Sequence, residues 1–217
     1  MDFGLALTFQ FKDPDWLKKI LLVSLITLIP VVGWIFAFGW SLGISRWVIR
    51  GEMTDQTLPE IDLARDLVRG LQGFLIGLVY NLPALAISIP LAIIFIFASA
   101  SISNGQFDNI WLVWLVCLIP IVLIYTVAMT MFIAAAYGNF LAHDESLIAG
   151  FELGRITRLV RRAPLAYFLV LVGQVLCTFI AFFGLAACII GIFVTSAYTL
   201  TVMAHLYGQA YLEAQKN

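Results

Sequence analysis

The sequence predicts an all-α fold: a polytopic helical bundle that is integral to a membrane. Hydrophobic residues make up 62% of the chain and charged residues only 12%, whereas a soluble domain has roughly 25% charged residues. The mean hydropathy is +1.01, and the apolar residues lie in long uncharged runs between short charged links. Only hydrocarbon tolerates so much apolar surface. We therefore expect one integral membrane domain over residues 1–217, with about four full transmembrane helices and further helices at the membrane surface.

Residues 1–20 are predicted to form an interfacial segment at the membrane surface. The apolar residues that can line one side of a short surface helix are Phe3, Leu5, Ala6, Phe9 and Phe11. The sequence DPDW that follows indicates the start of a second helix. Its first residue, Asp13, can cap free backbone N–H groups, and the tryptophan Trp16 suits the headgroup level.

Residues 21–44 form the stretch on which the sidedness of the chain depends. They carry no charge and are numerous enough to cross a bilayer once. Pro30 and Gly33 lie at the centre, however, where a straight helix tolerates them least. Basic residues flank both ends, at Lys18, Lys19, Arg46 and Arg50. Because the basic flanks of a membrane segment stay on one side, we predict a re-entrant hairpin bent between Pro30 and Gly33. A single kinked crossing is the alternative.

The remaining segments alternate between charged and apolar patterns. Amphipathic spacing predicts interfacial helices over residues 59–70 and 145–162. Transmembrane helices are expected over residues 71–100 and 110–140, and a transmembrane hairpin over residues 164–211. Within residues 59–70, the spacing also predicts exposed ion pairs, Asp62–Arg65 and Asp66–Arg69.

Four prolines lie inside the first three apolar runs, at Pro30, Pro83, Pro90 and Pro120. Each removes a backbone hydrogen bond that hydrocarbon cannot replace. We therefore expect these runs to be kinked and packed against other helices, and the final hairpin to be straight.

The distribution of basic residues predicts the orientation. The chain has 12 lysines and arginines, and none of them lies in the Ser101–Asn109 link. By the positive-inside rule, we expect this link outside and both termini in the cytoplasm, in the cell inner membrane.

A polar seam is predicted along the last helix. Its residues recur at spacings of three and four and comprise Tyr198, Thr201, His205 and Gln209, which Gln174 and Asn81 can join from other helices. Such a seam can bind a polar solute or relay a proton. It can also simply hold helices together through hydrogen bonds of about 0.6 kcal/mol each. We favour the structural interpretation.

The sequence offers no catalytic or metal-binding pattern. His143 stands beside Asp144 and Glu145, but a metal site needs further converging ligands. We interpret Asp144 as the cap of the following helix. We expect no catalytic residue, no metal, no cofactor and, in the absence of a large basic stripe, no nucleic acid.

One charged surface remains as a candidate interaction site on the predicted cytoplasmic face: Arg155, Arg158, Arg161 and Arg162. Together with the missing catalytic groups, it suggests a non-enzymatic membrane scaffold or partner-binding subunit. The expected partners are membrane lipids and another membrane protein or a second copy of the chain. The alternative function is a small permease or channel for uncharged or lipophilic solutes, and a third is lipid handling at the headgroup level.

The order of these segments resembles the domain of unknown function 4013 family, a group of uncharacterised prokaryotic multi-pass membrane proteins. The resemblance rests on DPDWLKK at 13–19, LIPVVGW at 28–34, RGE at 50–52, LPE at 58–60, GLVYNLP at 77–83, GFELGRITRLVRR at 150–162 and AHLYGQAY at 204–211. It implies a bacterial or archaeal integral membrane protein, and it brings no catalytic residue, cofactor or substrate.

Overall fold

The computed structural model describes residues 1–52, 58–101, 110–186 and 188–216. Within these ranges the chain is helical and has no strand. The helices are α1 (Phe3–Thr8), α2 (Trp16–Ile26), α3 (Val32–Arg50), α4 (Leu63–Ser101), α5 (Ile110–Ala142), α6 (Leu147–Gly150), α7 (Leu153–Arg162), α8 (Pro164–Ala186) and α9 (Cys188–Lys216), with a 3-10 turn at Phe9–Lys12 between α1 and α2. The predicted all-α fold is confirmed.

Four helices of the described ranges are long and apolar enough to cross a membrane. They are Val32–Arg50, Leu63–Pro90, Val122–Ala142 and Pro164–Ala186. The chain is therefore a helical membrane bundle. The first of these helices extends beyond the predicted 21–44 stretch, because helical residues continue until Gly51 ends α3 with a left-handed φ of 67°.

The uncharged 21–44 stretch is broken between α2 and α3. The chain reverses direction here. Two side chains show this, since Lys19 near the start of α2 and Trp40 in the middle of α3 both contact the segment Leu58–Pro59 before α4. The Lys19 ammonium donates to the Leu58 carbonyl at 2.8 Å, and the Trp40 indole donates to the Pro59 carbonyl at 3.2 Å. A Cβ on Gly33 would lie 2.0 Å from the Ile26 carbonyl oxygen, so the close return requires glycine. The two arms are unequal, with 11 residues in α2 and 19 in α3.

The prediction of a separate interfacial helix over residues 59–70 is wrong. Helix α4 begins at Leu63 and continues without interruption into the apolar run. Its first turns are packed against α3 so closely that a Cβ on Gly39 would lie 1.8 Å from the Asp66 carbonyl oxygen, and one on Gly70 would lie 1.9 Å from that of Ile35. Of the charged residues that suggested a water-facing helix, Asp66 and Arg69 are thus covered by a neighbouring helix, whereas Glu60, Asp62 and Arg65 are exposed.

The 145–162 segment, predicted as one helix, consists of the short α6 and the amphipathic α7. Ile156 and Leu159 on α7 are buried, whereas Arg158 and Arg161 are exposed.

Helices α8 and α9 pack against each other in the region predicted as a transmembrane hairpin, but of the two only α8 is among the four candidate membrane-spanning helices of the described ranges. Helix α9 also packs against α1, α2, α3, α5 and α7. A Cβ on Gly184 would lie 2.7 Å from the Gly191 carbonyl oxygen, so the backbones of α8 and α9 approach each other closely near the end of α8. Helix α9 is therefore the element around which the others are arranged.

The N-terminal segment, predicted to be interfacial, begins with the short helix α1, and one side of it packs against α9. Ala6, Phe9 and Gln10 are at most 1% exposed, whereas Leu5 and Phe11 are 38% and 49% exposed.

The close α3–α4 contact can be tested with a single methyl group. Gly39→Ala should destabilise the protein by at least about 2 kcal/mol, because the new Cβ meets backbone atoms that cannot rotate away. The control is Gly154→Ala on α7, where nothing lies within 4 Å of the new Cβ. It should leave stability unchanged or raise it by up to ~1 kcal/mol. Unfolding of the two variants by titration with a denaturing detergent measures the difference, and equal midpoints would contradict the packing described here.

Candidate functional site

A network of charged side chains joins α3, α4 and the loop after α5. Glu145 is at its centre. One carboxylate oxygen, Oε1, accepts from Arg46 Nη1 at 2.5 Å and from Arg69 Nε at 2.8 Å. Three elements that are distant in sequence are thus connected through a single oxygen atom.

Arg69 extends the network below the surface. Its Nη1 donates to Asp66 Oδ1 at 3.0 Å and to the Gly39 carbonyl at 3.4 Å. Asp66 and Arg69 are only 1% and 3% exposed. The predicted Asp66–Arg69 pair is confirmed, but it is buried and not exposed. Removing one partner of a buried pair leaves an uncompensated charge, so this pair matters more for stability than its sequence spacing suggested.

Asp144 closes the network at the surface, and its predicted role as a helix cap is wrong. Its Oδ1 accepts from Arg50 and, at 3.4 Å, from Arg46. Asp144 and Glu145 have φ values of 53° and 62°, a region that costs a non-glycine residue about 1–3 kcal/mol. The arginines offset this strain, and the loop keeps a shape in which both carboxylates point towards α3 and α4.

His143 lies next to this network but contacts the backbone of its own helix. Its Nδ1 is 2.8 Å from the Asn139 carbonyl oxygen. Because a carbonyl can only accept, Nδ1 carries the hydrogen. Among the described residues, no group of three or more histidine, cysteine, aspartate or glutamate side chains is arranged to hold a metal ion.

The polar seam on α9 is covered by the N-terminal segment. The Asp2 amide donates to Gln209 Oε1 at 2.6 Å, and Gln209 Nε2 donates back to the Asp2 carbonyl at 3.0 Å. The Phe9 ring stacks on the His205 imidazole with 4.5 Å between centroids. The Tyr198 hydroxyl donates to the Leu7 carbonyl at 2.8 Å. The seam therefore holds the first turns of the chain in place.

The other three predicted seam residues do not join this contact. The Thr201 hydroxyl donates to the Tyr198 carbonyl of its own helix. Asn81 is exposed and donates to the Gly77 carbonyl on α4, and Gln174 is exposed on α8. Sequence reasoning missed the partner of the seam, although the spacing of Ala6, Phe9 and Gln10 was a signal that one side of the first helix is buried.

A group of hydrogen bonds centred on Asp13, here called the clasp, joins the start of α2 to Leu58 before α4. Asp13 Oδ2 accepts from Lys19 Nζ at 2.9 Å and from the Leu58 amide at 3.1 Å, while Oδ1 accepts from the Asp15 amide at 2.9 Å. Asp13 therefore holds a turn ahead of α2 and does not cap the helix itself. Burial alone would raise the pKa of Asp13, but the Lys19, Leu58 and Asp15 hydrogen bonds and the Lys19 charge outweigh burial, so its pKa lies below the usual value.

The predicted arginine surface is formed by α7. Arg155 is 4.0 Å from Glu152, and Arg158 donates to the Gly154 carbonyl of its own helix at 3.2 Å. Within the part of the chain that the structure describes, Arg158 and Arg161 have no carboxylate within ion-pair distance. This surface differs from the network above, where carboxylates balance the arginines.

Comparison with known proteins identifies the family. Residues 22–206 match the family described as "Protein of unknown function (DUF4013)". The chain belongs to this family. The match begins within α2 and ends on α9, so it includes the return between α2 and α3, the charged network and the arginine surface. No curated protein and no solved structure matches the chain.

Arg69 provides the first test of the site. Arg69→Met should destabilise the protein by about 3–5 kcal/mol, because Asp66 is left buried without its partner. The control, Arg65→Met, removes a half-exposed arginine 3.7 Å from the same carboxylate and should cost less than about 1 kcal/mol. Denaturant titration of both variants measures the difference. Similar losses of unfolding free energy in the two variants would show that the buried Asp66–Arg69 pair stabilises the fold no more than the exposed Arg65 does.

The clasp predicts a pH dependence. Since the pKa of Asp13 is lowered in the folded protein, its stabilising effect is fully present above the unfolded-state pKa of about 4 and is lost as the pH falls through the folded-state pKa. Asp13→Asn should therefore cost roughly 2 kcal/mol at pH 7 and progressively less below pH ~4. Unfolding at pH 7 and pH 3 measures this, with the exposed Asp15→Asn as control. If Asp13→Asn destabilised the protein equally at pH 7 and pH 3, the lowered pKa of Asp13 would be contradicted.

Proposed function

We propose that this protein is a non-enzymatic membrane scaffold, a subunit that binds another membrane protein through its α4–α5 arm. The arm comprises residues 81–90 of α4 and 122–126 of α5. Almost every side chain in these two ranges is exposed. Leu82, Ile87 and Ile89 are at least 50% exposed, and Ile87 lies on a different side of α4 from the other two. Before the arm, α4 has one buried face, at Asp66, Arg69, Ile76 and Tyr80, whereas no residue of 81–90 is buried. The arm therefore extends beyond the helices that cover this face.

The prolines of the arm support a protein partner. Pro83, Pro90 and Pro120 are all exposed, contrary to the expectation that the internal prolines pack against other helices of the chain. A proline gives no hydrogen bond to the carbonyl four residues before it, and lipid tails cannot supply one.

Both prolines of α4 create this need. The carbonyl four residues before Pro83 is that of Val79, and the one four residues before Pro90 is that of Ala86. The Tyr125 hydroxyl donates to the adjacent Tyr80 carbonyl at 3.1 Å, but no side chain of the described residues donates to Val79 or Ala86. Donors from a neighbouring membrane protein would satisfy these carbonyls, and their place on or just before the exposed arm is the observation that carries the proposal.

The closed seam weakens the alternative of a permease or channel. The polar groups of α9 that suggested a path for solutes are bonded to the N-terminal segment. The exposed Thr126, Thr130 and Thr178 hydroxyls donate to carbonyls of their own helices. None of these groups lines an open polar path.

The orientation remains part of the proposal. We place the basic end, with both termini, in the cytoplasm and the protein in the inner membrane, following the positive-inside rule. The geometry supports a common side for the termini, since Asp2 is bonded to Gln209. The 102–109 link, predicted to be external, lies outside the described residues.

Photo-crosslinking in native membranes tests the proposed arm. A benzophenone amino acid at Ile87 should give a protein adduct of discrete mass, because the arm contacts a partner. The control position is Phe182 on α8, which is 70% exposed and should give lipid adducts only. An adduct at twice the mass of the chain would identify the partner as a second copy. Lipid adducts alone at Ile87 would refute the proposal.

A further inference from the structure

We propose that Arg158 and Arg161 on α7 form a binding site for the headgroup phosphate of an anionic phospholipid. This site is separate from the α4–α5 arm and does not depend on the protein partner proposed there.

The first argument is the position of α7 relative to the membrane. Only Ala163 separates the last residue of α7, Arg162, from Pro164, the first residue of the candidate membrane-spanning helix α8. Since α8 enters hydrocarbon, the residues directly before it lie at headgroup depth. Arg161 is therefore within reach of lipid phosphates.

The second argument is the apolar surface around the arginines. Ile148 and Leu153, before and at the start of α7, are 77% and 60% exposed. After α7, one face of α8 is exposed along its length, at Leu165, Phe168, Val172, Val175, Leu176 and Phe179. Exposed apolar side chains on both sides of exposed guanidinium groups suit the boundary between acyl chains and headgroups. This surface is continuous with the lipid-facing side of α8, so a lipid fits it better than a soluble protein does.

The third argument is charge. Arg158 and Arg161 are three residues apart on one exposed face of α7, and like charges at this spacing repel. Among the described residues neither has a carboxylate partner, as noted above. Opposite them, Ile156 and Leu159 are buried against the bundle and fix the helix orientation. A phosphate between the two guanidinium groups relieves the repulsion and accepts charge-assisted hydrogen bonds from both.

Lipid titration of the purified full chain in detergent, followed by native mass spectrometry, tests the site. The probes are dioleoyl phosphatidylglycerol, which is anionic, and dioleoyl phosphatidylcholine, which is zwitterionic. The wild type should bind phosphatidylglycerol more tightly. In the Arg158→Gln/Arg161→Gln variant this affinity should fall about 25-fold, from about fivefold for each arginine, while phosphatidylcholine binding stays unchanged.

The control is Lys18→Gln/Lys216→Gln, which removes two exposed positive charges of the chain outside α7. It should keep the wild-type preference for phosphatidylglycerol. Equal affinity of the wild type for both lipids would overturn the proposal. Equal losses in the two double variants would also overturn it, because net charge would then explain the binding. Unfolding midpoints verify that both variants are folded, as expected for exposed sites where glutamine forms helices nearly as well as arginine and lysine.

Discussion

Arg69 is the side chain on which the arrangement of the first half of the chain depends. Its guanidinium group is almost entirely buried, and it donates to carboxylates on α4 and on the loop after α5 and to a backbone carbonyl of α3. A buried cation is stable only when its partners are complete. The close contact of the α3 and α4 backbones at Gly39 and Gly70 and the strained loop at Asp144 and Glu145 therefore belong to one unit. If any of these parts moves, the cation loses a partner.

The second organising element is α9, and it works by a different kind of interaction. Its polar groups bind backbone atoms of the first nine residues, and its small side chains allow close packing, as at Gly208, where a Cβ would lie 2.6 Å from Val48. Charge thus connects α3, α4 and the loop after α5. Hydrogen bonds to the backbone connect α9 to the N-terminal segment, and close packing connects it to α3. Arg158 and Arg161 of α7 take part in neither and remain exposed.

The predictions from sequence succeeded where composition and periodicity carry the information. The membrane class and the helical content follow from apolar runs of sufficient length. The glycines also proved informative, since Gly33 stands at the return between α2 and α3. Sequence could not reveal which charged residues are buried. Asp66 and Arg69 show the spacing of a solvated helix face, and only the neighbouring α3 turns that face into a covered one. Asp144 likewise precedes a helix in the manner of a cap, but two arginines of α3, Arg46 and Arg50, determine its role. The partner of the seam was missed because residues 2–9 and 198–209 are too distant in sequence for any local pattern to connect them.

That distance has a consequence for how the protein is made. Ribosomes extend a chain by about 5–20 residues per second, so some 190 residues between Phe9 and Tyr198 take on the order of 10–40 s to synthesise. During this time the Leu7 carbonyl lacks its Tyr198 donor and the Phe9 ring lacks the His205 imidazole, and contacts of such long range form slowly. Residues 2–9 therefore reach their final place only after α9 has been made. Membrane insertion of the earlier helices is separated in time from the docking of this segment, which requires the arrival of α9.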